Sequence, residues 1–64
     1  MNPIEKAIKK AGGRQVHLAD LINVTKSTVN SWVQGRNKVS LKSAKKIEEK
    51  TGVSRKELRP DLFD

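Results

Sequence analysis

Two pairs of side chains at helical spacing, Lys26 with Asn30 and Ser27 with Ser31, carry the most informative chemistry in this sequence. Members of each pair stand four residues apart, so on a helix all four share one face. Together they offer an ammonium, a carboxamide and two hydroxyls, with no acid among them. Such a set suits the base edges of a major groove. Lys complements guanine O6 and N7, Asn the N6 and N7 pair of adenine, and Ser either. A solvated helix face without a binding role more often mixes Glu with Lys.

Catalysis finds no comparable set. The chain has no Cys, its only histidine is His17, and no nucleophile–base pair or phosphate-cradling loop occurs. A structural zinc site lacks ligands for the same reason. No enzyme activity, metal, cofactor or small-molecule ligand is expected. No apolar run approaches the roughly 20 residues needed to span a bilayer, and the N-terminus lacks the apolar core of a signal peptide. A cytoplasmic location without a membrane partner follows by default.

Charge points to a polyanion. Fourteen Lys and Arg oppose seven Asp and Glu, for a formal net charge of +7. The excess is uneven. Up to Ile47 there are ten basic side chains and two acids; beyond it there are four and five. A positive field gathered in one part of a small body attracts nucleic acid. A merely soluble basic surface is the plainer alternative.

The elements that must hold Lys26 to Ser31 follow from caps and periodicity. Asn2 and Pro3 give an N-cap and a preset first helical residue, and Ile4, Ala7, Ile8 and Ala11 recur at helical spacing up to Gly12-Gly13. A second helix over Arg14 to Ile22 turns Leu18, Ala19 and Ile22 inward. Asn23 suits the left-handed conformation of a sharp turn. Thr25 then caps a third helix from Lys26 to about Gln34, with Val29, Trp32 and Val33 inward and Gly35 at its end. Ser40 caps a fourth helix with Leu41, Ala44 and Ile47 inward, ending at Thr51-Gly52. Ser54 and Glu57 have capping-box spacing for a last short helix that Pro60 must end. The expected fold is all-α, one domain of four to five helices over residues 1 to 64. In so short a chain, dense helix packing or a partner subunit must supply the stability.

Several residues admit more than one reading. Trp32 could stack on single-stranded bases, but it continues the Val29 stripe and reads better as a core anchor. His17 falls on the polar side, solvated or beside a phosphate. Lys45 and Lys46 read as a solvated face. Arg36 and Lys38 either touch phosphate or satisfy the last carbonyls of a helix. In the tail from Arg59 to Asp64, Leu62 and Phe63 could join Leu58 in covering the core, form an extended strand at a dimer contact, or fray.

Counting Gln15 as the first of twenty positions, Ala19 is fifth, Asn23 ninth, Val29 fifteenth and Trp32 eighteenth. A small residue at the crossing, a turn residue and one-sided apolar anchors make this unit, 15 to 34, resemble the helix-turn-helix of the phage repressor and Cro-like families. It is similar above all to the YdaS-like Cro group of prophages. Trp32-Val33-Gln34-Gly35-Arg36 leading into Val39-Ser40-Leu41, and the ending Ser54 to Phe63, extend the resemblance over nearly the whole chain. Asn23 departs from the glycine usual at that position.

The resemblance implies a repressor-like domain that binds a palindromic DNA operator, usually as a homodimer, and regulates transcription in a bacterial host by occupying the site. It makes Lys26, Ser27, Asn30 and Ser31 base readers, and Gln15 and Thr25 phosphate contacts. Arg14, Arg36, Lys38 and Lys42 would flank them on the DNA backbone. With no second domain, regulation is expected through concentration alone. An antitoxin or other protein-interaction module of a prophage pair is the alternative.

Overall fold

The computed structural model describes residues 2–63 and contains five helices in chain order. They are α1 (Pro3–Ala11), α2 (Gln15–Ile22), α3 (Lys26–Val33), α4 (Leu41–Thr51) and α5 (Arg55–Leu58). Among the described residues there is no strand, so the all-α expectation holds. No helix among them is long and apolar enough to cross a membrane.

Local signals start and stop these helices. Asn2 Oδ1 accepts from the Ile4 N–H at 2.8 Å, Thr25 Oγ1 from the Thr28 N–H at 3.2 Å and Ser40 Oγ from the Ser43 N–H at 3.2 Å. Each satisfies a first-turn N–H that has no carbonyl within its own helix. α2 and α3 end alike. Asn23 stands at φ 60° and ψ 49°, in the left-handed region, which lets the Val24 N–H reach the Ala19 carbonyl at 2.9 Å. Gly35, at φ 76°, lets the Arg36 N–H reach the Ser31 carbonyl at 3.0 Å. Both are Schellman closures, and each turns the chain sharply.

α2 is the hub. It packs on α3, α1 and α4, while α1 also touches α3, α4 and α5. Leu18, Ala19 and Ile22 of α2 meet Val29 and Trp32 of α3 in a core shared with Ile4, Ala7, Ala44 and Ile47. Ala19 leaves room for α2 and α3 to cross closely. Burial of each large aliphatic side chain contributes roughly 1.5–3 kcal/mol, the main support for helices this short.

Two expectations need correction. Leu41 does not face inward; it is 47% exposed. Val39 takes the core position instead, with Ala44 five residues on, the N′ and N4 positions around the Ser40 cap. Ser54 and Glu57 do not use their capping-box spacing. Ser54 Oγ accepts from the Lys56 N–H, while the Glu57 carboxylate turns to Lys6 Nζ at 3.0 Å and ties α5 to α1. Of the three readings of the tail, core cover holds for Phe63 and not for Leu62. The Leu62 and Phe63 N–H groups both reach the Arg59 carbonyl, forming a turn that lays Phe63 half-buried on the core and leaves Leu62 exposed. Arg55 sits 5.1 Å over the Phe63 ring. Asp64 lies outside the described residues.

Arg59 clips this tail in place. Its guanidinium donates to both Asp61 carboxylate oxygens, at 2.9 and 2.7 Å, and to the Val39 carbonyl at 2.6 Å. The hydrogen bonds from Arg59, chiefly, hold the Asp61 carboxyl at a pKa of about 2 against an ordinary 3.8, with Lys38 adding attraction. A depressed carboxylate stabilises the fold fully above its ordinary pKa and loses that contribution as pH falls through the folded value. A carbon-detected titration should therefore place the Asp61 midpoint near 2; a midpoint near 3.8 would show that the clip is open in solution. The turn makes a separate forecast. Asn23→Val should cost about 1–2 kcal/mol in thermal unfolding, and Asn23→Gly only a few tenths or less, because only the branched side chain resists positive φ. Equal stability of the valine variant would contradict the left-handed turn.

Candidate nucleic-acid interface

The first turn of α2 begins at Arg14, whose backbone N–H donates to His17 Nδ1 at 3.2 Å. His17 thus closes back on the residue before the helix, where the sequence reading placed it only in solvent or near a phosphate. Its position three residues after Arg14 was the available signal, since that is the reciprocal place in a capping box. Gly12 makes the arrangement feasible. At φ +149°, a Cβ there would stand 2.5 Å from His17 Nδ1. The connection between α1 and α2 can pass close to the imidazole only without a side chain.

With α2 so started, Gln15 and Val16 occupy its first two positions, where N–H groups have no carbonyl within the helix. α3 crosses beside them. The Gln15 Nε2 amide donates to Asn30 Oδ1 at 3.3 Å, joining the two helices at their polar edges. That bond uses one lone pair of Asn30 Oδ1, and no other hydrogen bond engages the carboxamide among the described residues.

The result is an open groove lined by Arg14, Gln15 and Val16 of the α2 start and by Lys26, Ser27 and Asn30 of α3. Five of the residues singled out from sequence converge there. Val16 was missed. It is an apolar residue 41% exposed, off the Leu18–Ala19–Ile22 stripe, and that departure from the helix pattern was the signal.

The other candidates lie elsewhere. Ser31 is half-buried, and its hydroxyl donates to the Thr28 carbonyl at 2.8 Å, so it keeps only acceptor capacity outward. Thr25 caps α3, with its hydroxyl 2.9 Å from that of Thr28, a pairing the sequence reading did not foresee. Arg36 and Lys42 are exposed, on the α3–α4 connection and the first turn of α4. Lys38 stands 3.9 Å from Asp61 with its side chain 76% exposed, at the edge of a second groove floored by Trp32 and bounded by the tail.

Electrostatics favour the first groove for an anion. Glu48, Glu57 and Asp61 are engaged with Arg55, Lys6 and Arg59 respectively, all on the α1, α4, α5 and tail side. No acid lines the groove itself, where Arg14 and Lys26 are exposed. Trp32 is 7% exposed and belongs to the core, so it offers no stacking platform.

Comparison with known proteins agrees with this geometry. A solved structure described as the Cro protein from putative prophage element Xfaso 1 of Xylella fastidiosa strain Ann-1 superposes with a TM-score of 0.87. It is 36% identical and is covered over 98% of its length by the whole of this chain. The Gene 30 protein of Enterobacteria phage phi80 is 36% identical over 61 residues, 95% of this chain and 84% of that protein. The family model described as bacterial toxin YdaS matches residues 4–64. The chain therefore belongs to this family of phage Cro-like proteins.

Proposed function

We propose that the protein is a sequence-specific DNA-binding regulator that represses transcription by occupying an operator. The observation that carries this reading is the Gln15–Asn30 hydrogen bond, because it joins a helix start suited to phosphate with a side chain suited to adenine. Lys26, Ser27 and Asn30 read base edges from the exposed side of α3. Ser31 adds an acceptor at the margin. Gln15 and Thr25 hold phosphates at the starts of α2 and α3, and Arg14 adds charge beside Gln15. Arg36, Lys38 and Lys42 extend the backbone contact beyond α3. The ion pair of Lys38 with Asp61 is exposed and weak enough for a phosphate to displace.

In this reading the protein binds as a homodimer to a palindromic site, with half-sites one helical turn apart. Each subunit contributes one groove, and operator occupancy excludes polymerase.

The word toxin in the family description favours a second reading, in which a host protein is the target. One stoichiometric partner retained in high salt, together with equal affinity for random and selected duplexes, would establish that reading instead.

Selection from random duplex DNA, followed by affinity measurements on variants, tests the proposal. The wild-type protein should enrich one palindrome. Asn30→Ala and Lys26→Ala should each relax preference at one base position, by about 1–3 kcal/mol. Arg36→Ala should weaken all sequences alike and reduce the salt slope by about 1. If about five phosphates are neutralised per subunit, the wild-type log–log slope should be near −4.5 per subunit. Indifference to sequence would remove the regulatory reading.

A further inference from the structure

We infer that Val16 determines specificity by packing on the 5-methyl group of a thymine, an inference that rests on the DNA reading above. Val16 is the second residue of α2 and is 41% exposed, whereas Leu18, Ala19 and Ile22 of the same helix are buried. It lines the groove with Gln15 of its own helix and Lys26, Ser27 and Asn30 of α3. Each of those neighbours carries a hydrogen-bonding group, and Val16 has only hydrocarbon.

In the major groove, base edges present donors and acceptors, and thymine alone among the four bases adds a methyl group. Covering that methyl removes apolar surface from water on both partners. Setting the isopropyl group against a phosphate would instead strip water from a charged oxygen without replacing its hydrogen bonds. The β-branch restricts χ1 in a helix, so docking orders little that is not already ordered. Packing of Val29 and Trp32 with Leu18, Ala19 and Ile22 fixes how α2 and α3 cross, and with it the position of Val16 relative to the base readers.

The test replaces each thymine of the selected duplex in turn by deoxyuridine, which deletes the methyl and preserves pairing. Wild-type protein should lose about fourfold in affinity at one thymine per half-site, equivalent to about 0.8 kcal/mol for one buried methyl-sized group. Val16→Ala should lose most of that sensitivity while still responding to a changed base at the Asn30 position. Its circular dichroism should match wild type, because the side chain is exposed and alanine favours helix more than valine. If deoxyuridine is harmless at every position, or if Val16→Ala shows the same fourfold loss, the assignment fails while the DNA reading stands. If wild-type protein binds selected and random duplexes equally, both fail.

Discussion

The seating of α3 through Val29 and Trp32 is the constraint on which the rest of the molecule depends. Val29 is fully buried and Trp32 is 7% exposed, both against the Leu18–Ala19–Ile22 face of α2. An eight-residue helix is marginal by itself, so α3 owes its existence to this contact. The same contact fixes its rotation. With Val29 and Trp32 facing in, Lys26 and Ser27 face out, and Asn30 lies at the edge where Gln15 reaches it. Presentation of the groove is thus a by-product of core packing and does not depend on a flexible loop.

Around that contact, hydrogen bonds and charges are divided between two sides. Left-handed closures at Asn23 and Gly35 bring α2 and α3 to abrupt ends, so the chain turns quickly out of each helix. On the far side, Lys6–Glu57, Arg55–Glu48 and Arg59–Asp61 hold α1, α4, α5 and the tail together. These exposed pairs stabilise modestly. They also lie away from the groove, which no acid lines and where Arg14 and Lys26 are exposed.

What could be read from sequence was local. Asn2, Thr25 and Ser40 are legible as caps because a cap reaches only two or three residues onward, and Asn23 because its turn is set by its own φ. Ala19 and Trp32 were legible from spacing alone. Placement by distant partners was not. Val39 and Val53 are buried although they lie between helices, and Leu41 at a helix start is exposed, because the body of the fold decides which side of a connection is covered. Glu57 has the spacing of a cap yet pairs with Lys6, 51 residues away. Arg59 reaches the Val39 carbonyl across 20 residues. Val16 escaped notice because a single exposed valine is ordinary until the groove around it is seen.

A titration with the selected duplex, followed by nuclear magnetic resonance, tests the seating of α3 most directly. Amide signals of Gln15, Val16, Lys26, Ser27 and Asn30 should move, while the methyl signals of the fully buried Val29 keep their shifts. Val29 methyl signals that move with DNA, with the outer face of α3 silent, would contradict it.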